Sequence, residues 1–303
     1  PEYLILLKET HSNPHLLPNI TLPEEVCFTN DFQEIVAFSP EIIILATPSQ
    51  FLRSTLQKTP VSLWNRPELL AVVNVAKGIE ENTLKTLDAV IKDELPFLEE
   101  HKICALSGPS HAEEVARKIP TTVVIAGSDE DLLCYLQTVF SNSYFRVYRN
   151  LDLIGVEIGG AVKNIIAIAA GIIYGLDFGD NTIGALLTRG IVEIQRLGIA
   201  LKALPETFLG LSGIGDLITT ATSLHSRNRF VGVEIGKGRK LSDILAQMEM
   251  VAEGVTTTRS VYLLSRKLRI EMPIVEKVYQ VLYEDKEPRK AILELMTREL
   301  KAE

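Results

Sequence analysis

The run Ile42-Ile43-Ile44-Leu45-Ala46, followed by Thr47-Pro48-Ser49, decides the fold. Its consecutive apolar residues, three of them β-branched, predict a strand that is buried on both faces of a sheet. The proline turn after it can open a helix, which we expect over residues 50–57. A buried strand that leads directly into a helix is the repeating unit of a parallel sheet covered by helices.

The same alternation extends on both sides of this run. A loop is expected at residues 12–23, which contain three prolines and two asparagines. Right-handed crossovers would then build a doubly wound parallel sheet, whose ligands bind beyond the carboxyl ends of the strands. Further strands are predicted at residues 26–29, 70–75, 102–107, 121–127 and 145–148, and helices at residues 31–38, 82–95, 112–118 and 129–140.

The pattern changes after about residue 150. Runs of β-branched residues give way to Ala, Leu, Ile and Gly at helical spacing, which predicts an all-α second half. A chain of 303 residues is usually divided into two domains, so we expect an α/β domain over residues 1–150 and an all-helical domain over 151–303. Helices are predicted at residues 153–174, 182–197, 205–208, 229–236, 241–248, 257–267, 273–283 and 288–300.

Composition excludes several classes of protein. The net charge of −8 argues against a nucleic-acid partner, which would need a basic face, and means that an anionic ligand must be met by local cations. The three cysteines lie far apart without a C-x-x-C spacing, so no metal site or disulfide framework is indicated, and a reducing cytoplasm is expected. The most apolar stretch, residues 165–173, is shorter than the roughly 20 residues that a bilayer requires, so no stable membrane insertion is expected.

Lys163 is the most informative single residue. If its segment is helical, its neighbours three and four positions away include no carboxylate, so no local ion pair explains a lysine there. Two of those neighbours, Gly159 and Gly160, each cost about 1 kcal/mol relative to alanine, which suggests that a backbone or a ligand comes close. A desolvated lysine has a lowered pKa and can act as an acid or a base. The alternative is a lysine that extends to the surface from a buried helix.

Two predicted strand ends carry residues that suit an anionic ligand. Lys77 follows one strand and precedes Gly78, which lets a backbone approach closely. After another strand, Gly108 allows a tight turn, and Ser110 is placed to cap a helix whose free amides can bind an anion. The alternatives are an exposed loop lysine and a plain capped turn. The sequence assigns no role to His111.

Three polar segments interrupt the helical half. Asp216, in the glycine-rich stretch 211–217, can bind a hydroxyl group or a lysine, or cap a helix, and no strand precedes it as a dinucleotide motif requires. The sequence Ser226-Arg227-Asn228 precedes a predicted helix and can cradle a phosphate, or form a basic surface turn. Glu253 lies in an expected polar loop, residues 251–258, where it can accept hydrogen bonds from a ribose or an amide, or remain a solvated acid.

Together these segments match one family in chain order. From about residue 17 to residue 295 the chain resembles the bacterial-type NAD(P)-dependent glycerol-3-phosphate dehydrogenases. The most specific matches are GVEIGGAVKNIIAIAAG at residues 155–171, Thr188-Arg189-Gly190, residues 213–217 and Ser226-Arg227-Asn228-Arg229. The resemblance implies a Rossmann-like dinucleotide-binding domain over residues 1–150, a helical substrate domain over 151–303, and a cytoplasmic homodimer.

The resemblance also implies a reaction and a site. The reaction interconverts dihydroxyacetone phosphate and sn-glycerol 3-phosphate by hydride transfer with NAD or NADP, supplies glycerophospholipid synthesis and needs no metal. Lys163 is the expected catalytic acid and base. Residues expected to contact the substrate are Lys77, Gly108, Ser110, Lys163, Asp216, Ser226, Arg227 and Asn228. Residues expected to approach the cofactor are Lys77, Ala112, Arg227, Val251 and Glu253.

The sequence departs from the family pattern near its start. The family's first strand, G-x-G-x-x-G turn, helix and second strand are not recognised here, so we expect an N-terminally incomplete nucleotide-binding domain, without the residues that choose between NAD and NADP. Three explanations are open: a segment omitted from this sequence, a truncated chain, or a natural form that has lost activity. We favour the first, because the other motifs are intact.

Two other functions stay open at this point. A β-hydroxyacid dehydrogenase or a ketopantoate reductase also combines a nucleotide-binding domain with a helical domain and a catalytic lysine. The phosphate-type cluster at residues 226–228 argues against both. The alternative from another class is a non-catalytic or truncated protein that keeps only the substrate-binding domain.

Overall fold

The computed structural model describes residues 2–248, 250–300 and 302. Its first half contains a five-stranded sheet in the order β3-β4-β5-β6-β7, preceded by a two-stranded hairpin of β1 and β2. The α/β class predicted for this half is therefore confirmed. The strands are β1 Ser12–Asn13, β2 Leu17–Thr21, β3 Ile42–Leu45, β4 Ala71–Asn74, β5 Ile103–Ser107, β6 Thr121–Ala126 and β7 Phe145–Asn150.

The sheet is mixed, so the prediction of a fully parallel sheet is wrong at one junction. Strands β3, β4 and β5 run parallel, and so do β6 and β7, but β5 and β6 are antiparallel. The helix between them, α5 (Ala112–Ala116), has five residues and rises only about 7 Å. Because a strand of six residues is about 20 Å long, this helix cannot carry the chain back along the sheet, and β6 returns beside β5.

Strand β3 differs from the expectation of burial on both faces. It is one of the two edge strands of the described sheet, and Ile44 is 51% exposed, while only Leu45 is buried. Strand β4, one position further in, is buried along its whole length. An apolar run of this kind therefore predicted the strand correctly but did not reveal its place at the edge.

The N-terminal segment was predicted least well. A helix, α1 (Glu2–Thr10), leads into the hairpin of β1 and β2, in the place where a loop was expected. No strand forms at residues 26–29, which have no regular secondary structure and in which Val26 is 38% exposed. The prolines near the hairpin did not exclude it because a short antiparallel pair needs few backbone donors.

Of the other helices of this half, the first precedes β3 and the rest connect successive strands of the sheet. The predicted helix at residues 82–95 begins only at Leu87, because residues 80–85 form a turn in which the Glu80 amide donates to the Lys85 carbonyl (3.0 Å). These helices are α2 (Phe32–Phe38), α3 (Leu52–Lys58), α4 (Leu87–Glu94), α5 and α6 (Glu130–Phe140).

The second half is helical and is organised around α7. Residues 155–173 of α7 (Leu153–Gly175) are all buried. Helix α7 is long and apolar enough to cross a membrane. Its most apolar 18 residues are, however, wholly buried inside the protein, and core helices meet the same criteria of length and composition. The remaining helices are α8 (Asp180–Ala200), α9 (Asp216–Thr222), α10 (Arg227–Gly236), α11 (Leu241–Leu245), α12 (Glu253–Leu268), α13 (Pro273–Tyr283) and α14 (Pro288–Met296).

The glycines of α7 lie where other groups approach closely, as the sequence suggested. A Cβ atom on Gly159 would lie 2.6 Å from the Ser212 carbonyl oxygen, and one on Gly171 would lie 2.1 Å from the Arg229 carbonyl oxygen. Larger side chains would therefore separate α7 from α10 and from the segment before α9. That segment and α10 carry polar residues singled out in the sequence, so the glycines bring them next to Lys163.

Two features of the helical half were not predicted. Helix α9 was not anticipated, and α12 begins at Glu253, inside the expected loop 251–258. Threonines make this segment look polar, but Thr257 and Thr258 are fully buried. The Thr258 hydroxyl donates to the Gly254 carbonyl one turn earlier (2.6 Å), which satisfies it within the helix.

Candidate active site

Two lysines and one aspartate meet where the sheet joins the helical half. Lys77 follows β4, Lys163 lies in the middle of α7, and Asp216 begins α9. The Lys77 ammonium donates to the Asp216 carboxylate (2.6 Å) and to the Gly108 carbonyl (3.0 Å). The Lys163 ammonium donates to the other oxygen of Asp216 (2.9 Å). Asp216 therefore bridges Lys77, beyond the carboxyl end of β4, and Lys163 of α7.

Lys163 is enclosed rather than extended to the surface. Its side chain is 7% exposed, and its ammonium also donates to the Thr220 hydroxyl (2.6 Å). The ion pair that the local sequence lacked is supplied by Asp216, far along the chain. Burial lowers the pKa of Lys163 to about 8; Asp216 opposes this shift, and the charge of Lys77 adds to it. At neutral pH the lysine can therefore both donate and accept a proton.

Asp216 binds the two lysines and does not cap its helix. Helix α9 has no side-chain cap, so the capping alternative is wrong. Burial by itself would raise the pKa of Asp216, but the charges of Lys163 and Lys77 outweigh it and hold the pKa below its ordinary value. The carboxylate is thus ionised and keeps both ammonium groups in place.

Thr220 and Asn164 are site residues that the sequence reasoning missed. Thr220 lies one helical turn after Asp216, and its hydroxyl donates to the Asp216 carboxylate (3.1 Å). Asn164 adjoins Lys163 in the chain and accepts from the Asn228 side chain (2.9 Å). The four-residue spacing from Asp216 was a usable signal for Thr220, but α9 itself was not predicted.

The segment Ser226-Arg227-Asn228 opens α10 beside this cluster. Ser226 caps the helix, because its hydroxyl accepts from the Arg229 amide (3.2 Å). Asn228 is buried and accepts from the Gly254 amide (2.9 Å) while it donates to Asn164. The structure therefore places this cap next to the helix that carries Lys163.

Of the predicted cofactor residues, Arg227 and Val251 contact each other within the helical half, and Glu253 joins the two halves of the chain. The exposed Arg227 guanidinium donates to the Val251 carbonyl (2.9 Å). The Glu253 carboxylate accepts from the Ser49 amide (2.8 Å), in the turn that follows β3. Glu253 is thus not a solvated loop acid, because it ties the start of α12 to the carboxyl edge of the sheet.

The turn after β5 differs in detail from the prediction. Gly108 has φ +124°, a conformation that favours glycine. Ser110 does not cap α5: its hydroxyl donates to the Gly108 carbonyl (3.1 Å), and the cap position is occupied by His111 without a side-chain hydrogen bond. Ala112 is the exposed first residue of this short helix.

Buried polar atoms without a protein partner surround the cluster. Among the described residues they include Ser107 Oγ, His111 Nε2 and Thr257 Oγ1. Ser107 lies against Gly160 beside Lys77, and Thr257 lies near Gly78. Because buried polar atoms are normally hydrogen-bonded, these atoms indicate positions that a bound ligand would satisfy.

His111 lies at the site, although the sequence assigned it no role. Its ring lies 6.0 Å from that of His225, between centroids, so the two residues meet across the turn after β5 and the segment before α10. Burial lowers the pKa of His111, and the Lys163 charge lowers it further. The imidazole is therefore neutral at pH 7. Within residues 2–248, 250–300 and 302, no group of three or more His, Cys, Asp or Glu side chains is arranged to hold a metal.

Comparison with known proteins identifies the family. The family model for the N-terminus of NAD-dependent glycerol-3-phosphate dehydrogenase matches residues 2–133, and the model for its C-terminus matches residues 152–293. Glycerol-3-phosphate dehydrogenase [NAD(P)+] of Geobacter sp. strain M21 is 50% identical over 303 residues, which cover 100% of this chain and 89% of that relative. The crystal structure of glycerol-3-phosphate dehydrogenase from Coxiella burnetii has a TM-score of 0.92 at 33% identity, covering 98% of this chain and 89% of the other.

These matches also bear on the expected N-terminal gap and on the alternative of a hydroxyacid dehydrogenase. The N-terminal family model is matched over residues 2–133, so the N-terminal domain of the family is present, and the expectation of an N-terminally incomplete domain is not supported. D-mandelate dehydrogenase, with a TM-score of 0.55 at 11% identity, shares the fold alone. The chain therefore belongs to the NAD-dependent glycerol-3-phosphate dehydrogenase family.

Proposed function

We propose that this chain interconverts dihydroxyacetone phosphate and sn-glycerol 3-phosphate with NAD or NADP as the cofactor. The observation that carries the proposal is the buried ammonium of Lys163, held by Asp216 at the edge of the sheet where ligands of such folds bind. The names of the relatives support the same reaction.

Lys163 acts as the acid and the base of this reaction. When bound, the nicotinamide supplies or accepts the hydride. In the direction of reduction the Lys163 ammonium stabilises the developing negative charge on the carbonyl oxygen and protonates it. In the direction of oxidation neutral Lys163 removes the hydroxyl proton. Asp216 and Thr220 fix the nitrogen that exchanges this proton.

The substrate's negative charge requires local cations in a chain whose net charge is −8. We assign the phosphate to Ser226, Arg227 and Asn228 at the start of α10, and the carbonyl end to Lys163 and Asp216. Lys77, Gly108 and Ser110 complete the substrate contacts from the sheet edge. The cofactor would approach Lys77, Ala112, Arg227, Val251 and Glu253.

The proposal extends to the organisation of the protein. Residues 1–150 would form the dinucleotide-binding domain and residues 151–303 the substrate domain. A cytoplasmic homodimer fits two features: the free cysteines, and the exposed apolar side chains of α14, where Leu293 is 62% and Met296 75% exposed. The reaction would supply glycerophospholipid synthesis.

The direct test mixes the purified protein with dihydroxyacetone phosphate and follows oxidation of NADH and NADPH in parallel. Oxidation is expected with the phosphorylated substrate and not with dihydroxyacetone. Arg227→Ala should lower kcat/KM for dihydroxyacetone phosphate by about 10- to 100-fold, the range expected for a hydrogen bond to a charged group. Arg266→Ala, in an exposed position of α12, is the matched control.

Two outcomes would contradict the proposal. Equal rates with and without the phosphate would favour a hydroxyacid dehydrogenase. Binding of the triose phosphate without any oxidation of either cofactor would favour the non-catalytic binding protein. The ratio of the NADH and NADPH rates gives the cofactor preference.

A further inference from the structure

A buried carboxyl group, six residues before Lys163, links α7 to the sheet. The Glu157 side chain is buried in the protein. One of its carboxyl oxygens accepts from the Asn74 side chain (3.3 Å), and the other accepts from the Asp88 backbone amide (3.3 Å). A single side chain of the core helix thus contacts the end of β4 and the start of α4.

Asn74 passes this contact on to the loop that carries Lys77. Its side-chain amide donates to the Ala76 carbonyl (3.2 Å) as well as to Glu157, and its side-chain oxygen accepts from the Ala76 amide (3.1 Å). The orientation of the Asn74 side chain therefore shapes the backbone at Ala76. Lys77 is the next residue, and it reaches both Gly108 and Asp216.

The charges around Glu157 favour its neutral form. Burial raises the pKa of Glu157 well above its ordinary value, and the neighbouring Asp88 carboxylate raises it further. Asp88 on α4 is the charged side chain that faces it, and Asn74 of β4 contributes a neutral amide. The Thr86 hydroxyl donates to the Asp88 side chain (2.5 Å), which fixes the position of that side chain beside Glu157.

We propose that Glu157 is a positioning residue, which acts through Asn74 to hold the loop 76–78 so that Lys77 reaches Asp216 and the substrate. The inference rests on the proposed function, because it assigns Lys77 to the same substrate. It adds a residue that does not touch the reactants and that lies on the side of α7 facing the sheet. A glutamine at this position can still offer its side-chain oxygen to the Asn74 amide, although its NH2 group cannot accept from the Asp88 amide. The inference therefore predicts that the site tolerates glutamine better than alanine.

The test compares Glu157→Gln, Glu157→Ala and Asn74→Ala, with Glu24→Ala in an exposed position as the control. Glu157→Ala should raise KM for dihydroxyacetone phosphate by about tenfold with a smaller change in kcat, as expected for the loss of one hydrogen bond that positions a substrate contact. Glu157→Gln should restore KM to within about threefold of the wild type. Asn74→Ala should raise KM like Glu157→Ala, and the double variant should be no worse than either single variant.

Several outcomes would overturn the inference. They are an unchanged KM in Glu157→Ala or in Asn74→Ala, a Glu157→Gln variant as impaired as the alanine variant, and additive effects in the double variant. If Glu157→Ala does not fold, Asn74→Ala and Glu157→Gln decide the question.

A second readout separates this inference from the proposed function. The rise in Tm on adding dihydroxyacetone phosphate measures binding without turnover. A wild-type protein that is stabilised by the triose phosphate but inactive would overturn the proposed function alone. In that case the inference still requires the stabilisation to shrink in Glu157→Ala and Asn74→Ala and to return in Glu157→Gln; equal stabilisation in all variants would overturn it.

Discussion

Replacing Lys163 with alanine is expected to lower kcat for dihydroxyacetone phosphate reduction by about 10³-fold, within the range that a positioned acid or base contributes. The ammonium is enclosed by Asp216 and Thr220, and no other described ammonium group is as deeply buried in this cluster. Lys77 cannot replace it, because the Lys77 side chain is held by Gly108 and Asp216 at the sheet edge. Steady-state kinetics with NADH and NADPH measure the loss.

The fold of this variant should persist, because Asp216 keeps its ion pair with Lys77. Circular dichroism and binding of NADH or NADPH check this point. Lys163→Met tests whether filling the volume without the charge restores turnover. Lys267→Ala on the surface of α12 is the matched control. Retention of most of the wild-type turnover by a folded Lys163→Ala protein would remove Lys163 from the role of acid and base.

Replacing Asp216 with asparagine should damage both activity and stability. The amide would leave the ammonium groups of Lys77 and Lys163 close together without the buried carboxylate that neutralises them. Breaking such a buried pair costs about 3–5 kcal/mol of folding free energy. Repulsion would lower the pKa of Lys163 further, so less of the ammonium form needed for reduction would remain at pH 7, and kcat should fall by at least about 100-fold.

Chemical denaturation and steady-state kinetics measure the two effects in the same protein. Asp131→Asn on the exposed surface of α6 removes the same charge and should change neither. A folded Asp216→Asn protein with wild-type stability would show that the carboxylate does not hold the two lysines together. Wild-type kcat would show that Lys163 does not depend on it.

The fold was predicted where the local sequence pattern is strong. The run at residues 42–46 predicted β3, and the loss of β-branched runs after residue 150 predicted the helices. The pattern could not predict that β3 lies at an edge, because edge position depends on which strands pair. It also could not predict that β6 reverses, since this depends on the five-residue length of α5.

The candidate site was predicted in part. Lys163 was singled out because no local partner explained it, and its partner Asp216 lies 53 positions away, a separation that no local pattern reveals. Ser110 was assigned a cap because its residue type suits one, yet its hydroxyl turns back to Gly108. His111 received no role, because an unpaired nitrogen becomes visible only when the surroundings of the ring are known.

The central claim is that Lys163 transfers the proton, and the pH dependence of kcat/KM in both directions tests it most directly. Reduction needs the ammonium, so its rate should be high below pH 8 and fall as the pH rises through about 8, the pKa of Lys163. Oxidation of sn-glycerol 3-phosphate needs the neutral amine, so its rate should rise through the same pH. Opposite profiles that cross near pH 8 in the wild type and vanish in Lys163→Ala are the predicted result. Parallel profiles, or profiles without a transition near pH 8, would contradict it.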